Sequence, residues 1–154
     1  MRQYAIKTRL TLSMSKTLRQ IMVKDVVTVE PNATVKSATE LMNANEISCL
    51  VVVIHEKPIG IVTEQDMLRR VIHKSREPEK TRVSDIMSKP LIAATPNMHA
   101  REASKLMLER NIRRLPVVEN GQLVGLVTLT DLISALVQHG MFGRTRLLPP
   151  RKKK

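Results

Sequence analysis

Hydrophobic positions along the chain fall into two alternating rhythms. Val35, Ala38, Leu41 and Met42 recur at i, i+3, i+6 and i+7, as do Ala100, Ala103, Leu106 and Met107, which places each set on one face of a helix. Residues 50–54, 59–63, 115–118 and 123–128 are nearly continuous Val, Ile and Leu, the signature of strands covered on both faces. Asn120-Gly121 joins the last two runs as a hairpin, because both residues tolerate positive φ. Short extended stretches at 26–29 and 91–94 lead into turns at Pro31-Asn32 and Pro96-Asn97. A closing helix starts near Asp66, with Met67, Leu68, Val71 and Ile72, and again near Asp131, with Leu132, Ile133, Leu136 and Val137. The order β-α-β-β-α is therefore written twice.

A shift of 65 residues aligns positions 21–68 with 86–133 without a gap, and 16 of the 48 pairs are identical. Among them are Ile21/Ile86, Met22/Met87, Pro31/Pro96, Gly60/Gly125, Thr63/Thr128 and Asp66/Asp131. A unit of this size buries too little apolar surface to stand alone, so the two copies are expected to pack together. The expected organisation is a flexible basic segment at 1–15, a first repeat at 16–74, a charged linker with Pro78 at 75–82, a second repeat at 83–139 and a disordered basic tail at 140–154.

The succession Ile-Met, a helix, Leu-x-Val-Val and Gly-x-x-Thr-x-x-Asp, repeated in constant register, resembles a tandem pair of cystathionine-β-synthase (CBS) domains, also called a Bateman module. The resemblance covers roughly residues 16–139. It implies an α+β fold in which two β-α-β-β-α repeats pack through their sheets with pseudo-two-fold symmetry, and a homodimer of such pairs. It also implies two clefts for adenosine-containing ligands: AMP, ADP, ATP or S-adenosylmethionine.

In Gly-x-x-Thr-x-x-Asp the glycine lets a strand approach a ligand or another backbone closely. The Asp can accept from two ribose hydroxyls, while the Thr hydroxyl and the first-turn N–H groups suit a phosphate. The same spelling is also an ordinary helix N-terminal cap. Carried over residue by residue, the resemblance places Thr63 and Asp66 opposite Ile112-Arg113-Arg114, and Thr128 and Asp131 opposite Ile47-Ser48-Cys49. The first cleft is expected to be the stronger, because Arg113 and Arg114 can hold phosphate or stack on adenine. The second is expected to be weaker, since Ser48 and Cys49 bring no cation. Val26, Val27, Ile61, Leu91, Ile92 and Leu126 are the candidate adenine walls, and core packing explains them equally well.

Charge changes the picture only at the ends. Of 26 Lys and Arg, six lie in residues 1–24 and six in 144–154, where no acid occurs, so the net charge of +12 belongs to the tails and the body is balanced. The tails offer an alternative role, docking on nucleic acid, with the repeats as a dimeric platform. Met14 is an alternative starting residue. The body has no aromatics, since Tyr4 and Phe142 lie near the ends, and so lacks a base-stacking surface. A single cysteine, Cys49, and four scattered histidines give no metal-ligand spacing, and no nucleophile–base set converges. No apolar run approaches membrane-spanning length. The expected protein is thus a non-enzymatic, cytoplasmic, stand-alone nucleotide sensor acting on a partner in trans, without a catalytic cofactor.

Overall fold

The computed structural model describes residues 16–137. The two basic tails, with their expected flexibility and nucleic-acid docking, and the side chains of Leu136 and Val137 fall outside that description.

The first repeat contains strand β1 (Thr28–Val29), helix α1 (Val35–Asn45), strands β2 (Cys49–Ile54) and β3 (Lys57–Thr63), and the short helix α2 (Glu64–Met67). Helix α2 continues into one π-helical turn, Leu68–Ile72. The second repeat begins with α3 (Val83–Ile86) and then has α4 (Ala100–Glu109), β4 (Arg114–Glu119), β5 (Gln122–Thr128) and α5 (Leu129–Val137). The helical spacing holds: Val35, Ala38 and Met42 are buried on α1, and Ala100, Ala103 and Met107 on α4. Thr34 caps α1 by accepting from Ser37 N at 3.1 Å, and Glu102 caps α4 by accepting from His99 N at 2.9 Å. Both helices stop at a residue whose successor or cap adopts positive φ without being glycine, Glu46 at 53° and Asn111 at 50°.

β1 pairs parallel with β2, and β2 antiparallel with β3, so the first sheet has the order β1-β2-β3. β4 and β5 form the second hairpin, and the counterpart of β1 contributes the single parallel bridge Ala94↔Val117. The registers repeat: Cys49 lies opposite Thr63 and Arg114 opposite Thr128. Strands β3 and β5 contact each other, joining the sheets of the two repeats.

The repeats exchange their leading segments. Leu18 is fully buried in the core of the second repeat, against Ala103, Met107 and Leu115, and Ile21 and Met22 pack on the same core. Val83, Ile86 and Met87 complete the core of the first repeat with Val35, Leu50 and Val62. Backbone bonds follow the same exchange. Leu18 N donates to Met98 O and Arg19 N to Pro96 O, while Val83 N donates to Ala33 O and Ser84 N to Pro31 O, each at 2.9 Å. The duplicated Pro-Asn turns are therefore docking points for the exchanged segments.

Gly60 and Gly125 are explained by this crossing. A Cβ on Gly60 would stand 3.0 Å from Ser88 O, and one on Gly125 only 2.5 Å from Met22 Sδ. Of the two close approaches the glycines permit, another part of the chain is the one observed, with bridges Ile61↔Ser88 and Val23↔Leu126 fixing the crossings.

The Asn120-Gly121 hairpin has φ of 51° and 79°, as its sequence predicts. At the equivalent turn in the first repeat, His55 and Glu56 adopt the same left-handed conformation, at 48° and 66°. Side chains with a Cβ are disfavoured there. Replacing both, His55→Asn with Glu56→Gly, is expected to stabilise the fold by about 1 kcal/mol and raise Tm by roughly 2–4 °C in a thermal melt.

Candidate ligand cleft between the repeats

Each Thr-x-x-Asp folds as a reciprocal cap. Asp131 Oδ2 accepts from Thr128 N and from Thr128 Oγ1, both at 2.7 Å, and Asp131 N donates to Thr128 Oγ1 at 3.2 Å. Asp66 Oδ2 accepts from Thr63 N at 2.9 Å and Thr63 Oγ1 at 2.8 Å, with Asp66 N donating to Thr63 Oγ1 at 3.3 Å. A cap of this kind contributes about 1 kcal/mol. It also fixes the carboxylate: one oxygen is committed, and the orientation of Oδ1 follows.

A cavity of about 1030 Å³ opens beside the second of these caps. Thr128 and Asp131 line it, together with Ile47, Ser48 and Cys49 from the corner between α1 and β2. Arg113 and Arg114 line the same cavity, as do Val26, Val27 and Leu126. Ile61, Thr63, Asp66, Leu91, Ile92 and Ile112 do not. Ile61 instead pairs with Val51 in the sheet and bridges to Ser88. Ile92 and Ile112 pack against the second core.

This corrects the assignment of the arginines. They were expected opposite Thr63 and Asp66; the structure places them with Thr128 and Asp131. The reason is register. Arg114 opens β4 directly across from Thr128 near the end of β5, so strand pairing brings a corner residue beside the threonine of its own repeat. Leu129 N donates to Arg113 O at 3.0 Å and tightens the same corner. The expectation that the Thr128/Asp131 side lacks cations falls with it.

The corners of the two repeats also touch. Arg114 Nη2 donates to Ser48 Oγ at 2.5 Å, linking β4 to the start of β2. Burial pushes the Cys49 thiol up; the charge and hydrogen bond of Arg114 pull against that, and Glu64 adds to the rise.

Sequence reasoning missed the acidic part of the lining. Asp25, Glu46 and Glu64 face the cavity with Asp131, so four carboxylates accompany two guanidiniums. Their signal was adjacency: Asp25 precedes Val26, Glu46 precedes Ile47 and Glu64 follows Thr63. Thr39 and Asn43, one turn apart on α1, carried no such signal and reach the cavity only through helix packing.

Two repeats, each completed by the other's leading segment, define a tandem-repeat module with a cavity lined from both halves. A CBS-domain family model matches residues 18–73 and 83–138, and the chain belongs to the CBS-domain family, a family of regulatory modules. A CBS domain-containing protein of Bacillus subtilis is 37% identical over 115 residues, covering 75% of this chain and 81% of that protein. An uncharacterized protein of Methanopyrus kandleri is 38% identical over 122 residues, 77% of this chain; the match spans 62% of that relative, under two thirds of its length. The solved structure of a signal-transduction protein with CBS domains from Burkholderia ambifaria superposes with a TM-score of 0.79 at 32% identity, covering 84% of this chain and all of that one. These matches agree with the expected family and the α+β fold of paired repeats. Among the described residues no helix is long and apolar enough to cross a membrane.

Because the folded pKa of Cys49 is raised above its ordinary 9.0, the native state holds the thiol proton more tightly than the unfolded chain. The stability this contributes is complete below the ordinary value and is lost as pH rises from there through the folded value. At about pH 7.5, alkylation of native Cys49 by iodoacetamide is expected to run at least about tenfold slower than in the urea-unfolded chain, read by mass spectrometry.

Proposed function

We propose that the chain is a regulatory module that binds an adenosine-containing ligand in the cavity between its repeats and passes the bound state to a partner protein. The observation that carries this reading is the arrangement at Asp131. Its Oδ2 is held by Thr128, and its carboxylate lines the same cavity as Arg113 and Arg114. Asp131 Oδ1 suits a ribose hydroxyl pair, the arginines suit a phosphate, and Val26, Val27 and Leu126 offer an apolar wall for adenine. With four carboxylates against two arginines, the lining favours AMP or S-adenosylmethionine over the more highly charged ATP. The regulatory role is supported by the family and by a lining drawn from both repeats.

A ligand there touches both repeats, so it stabilises whichever relative placement of the repeats closes on it best. The second expected property, a homodimer, is supported by the apolar side chains left on the outer helices. Leu68 and Ile72 are each 62% exposed on the segment after β3, and Ile133 is 51% exposed on α5. Leu129 and Ile133 also line the cavity, so this apolar face is continuous with the ligand site.

Isothermal titration with AMP, ADP, ATP and S-adenosylmethionine tests the ligand. AMP or S-adenosylmethionine is expected to bind, with Asp131→Ala weakening it at least about tenfold through the lost ribose bonds, and Arg114→Ala weakening AMP more than adenosine. Absence of binding by the wild type to all four overturns the reading. For the dimer, Leu68→Glu with Ile133→Glu is expected to shift the chain to a monomer in sedimentation equilibrium while leaving its circular dichroism unchanged.

A further inference from the structure

Pseudo-symmetry makes the two sides of the module comparable position by position, and they differ at one telling place. Asp66 is the counterpart of Asp131, and residues 86–88 are the counterpart of 21–23, of which Val23 lines the cavity. On the first-repeat side these two walls are tied together by Arg70. Its Nε lies 3.5 Å from Asp66 Oδ1, the carboxylate oxygen left over by the cap. Its Nη1 donates to Ile86 O at 2.6 Å and to Met87 O at 3.0 Å, and its Nη2 donates to Ser88 Oγ at 3.4 Å. Asp66 is only 13% exposed while Arg70 is 46% exposed, so the guanidinium covers the carboxylate from the solvent side. The equivalent of Arg70 in the second repeat is Ala135, whose methyl group cannot reach across.

We infer that Arg70 is a built-in occupant of the first-repeat cleft, satisfying the Asp66 carboxylate and strapping residues 86–88 over it, so that the module takes a single ligand at the Thr128/Asp131 side. The inference rests on the nucleotide reading above and deepens it by assigning stoichiometry and site. The ribose-binding oxygen of Asp66 is already paired with a cation that would have to be displaced. Displacing it also gives up the bonds to two backbone carbonyls, of Ile86 and Met87. Position 49, the counterpart of Arg114, is Cys49, which pairs with Thr63 in the sheet and also lines the Thr128/Asp131 cavity, so an incoming phosphate beside Asp66 gains no cation from that position. The duplication therefore kept two caps and left one of them open to a ligand.

Isothermal titration with AMP on four forms decides it: wild type, Arg70→Met, Asp131→Ala and the double variant Arg70→Met/Asp131→Ala. Methionine keeps the aliphatic stem over residues 86–88 and removes only the guanidinium. Wild type is expected to bind one equivalent per chain. Arg70→Met is expected to bind a second, at least about tenfold more weakly because Cys49 stands where the other side has Arg114. The double variant is expected to keep only that weak equivalent. One equivalent in both wild type and Arg70→Met, or two in the wild type, overturns the inference while leaving the nucleotide reading intact. No binding in any form overturns both. A thermal melt of each variant with the wild-type transition confirms that stoichiometry is read on folded protein, and Arg70→Gln, which can still donate to the Met87 carbonyl, serves as the folded substitute should Arg70→Met not fold.

Discussion

Everything in this molecule depends on the reciprocal exchange of the segments that precede each repeat. Leu18, Ile21 and Met22 complete the core of the second repeat, and Val83, Ile86 and Met87 complete that of the first. Neither half has a closed core without the other, so folding of the pair is expected to be a single cooperative event. The exchange also dictates the two invariant features of each second strand. A glycine is needed where the foreign methionine crosses, and the crossing occurs at a fixed register, Val23 with Leu126 and Ser88 with Ile61.

The cleft is a by-product of that crossing. Once residues 21–23 lie across β5, the stretch that follows, Asp25 to Val27, runs along the mouth of the space between the corner after α1 and the helix after β5. Strand register then decides which charges enter it. Arg114 sits opposite Thr128 and bonds Ser48 across the axis, so one side of a nearly symmetric frame gathers both arginines. Cys49, the counterpart of Arg114, pairs with Thr63 and brings no cation, and on the first-repeat side Arg70 lies on Asp66 and the backbone of residues 86–88. Symmetric architecture and asymmetric chemistry coexist because the backbone bonds that build the frame ignore side-chain identity.

The Thr-x-x-Asp motif offered two readings, helix cap and ligand site; the structure shows the cap, and the cap is compatible with the proposed ligand. The cap uses one carboxylate oxygen and both backbone and hydroxyl donors of the threonine. What it leaves is a carboxylate held in one orientation by local bonds, which is the pre-organisation a recognition group requires. Whether the remaining oxygen is available depends on the residue one turn later: alanine at 135 and arginine at 70.

The sequence by itself determined the repeat, the order of elements, the helix faces and the hairpin at Asn120-Gly121, because these follow from local periodicity and from the φ that each turn demands. The family resemblance also set Thr128 and Asp131 against the Ile47-Ser48-Cys49 corner, and these five residues line one cavity, whereas of the six apolar candidates only Val26, Val27 and Leu126 line it. It misplaced Arg113 and Arg114, and it passed over Arg70, Asp25 and Glu64. Those depend on which strands pair and which segment crosses which sheet, contacts between residues far apart in the chain. A side chain such as Arg70 has several partners within reach, and only the packed tertiary structure decides that its guanidinium meets Asp66 and the carbonyls of residues 86 and 87 rather than water.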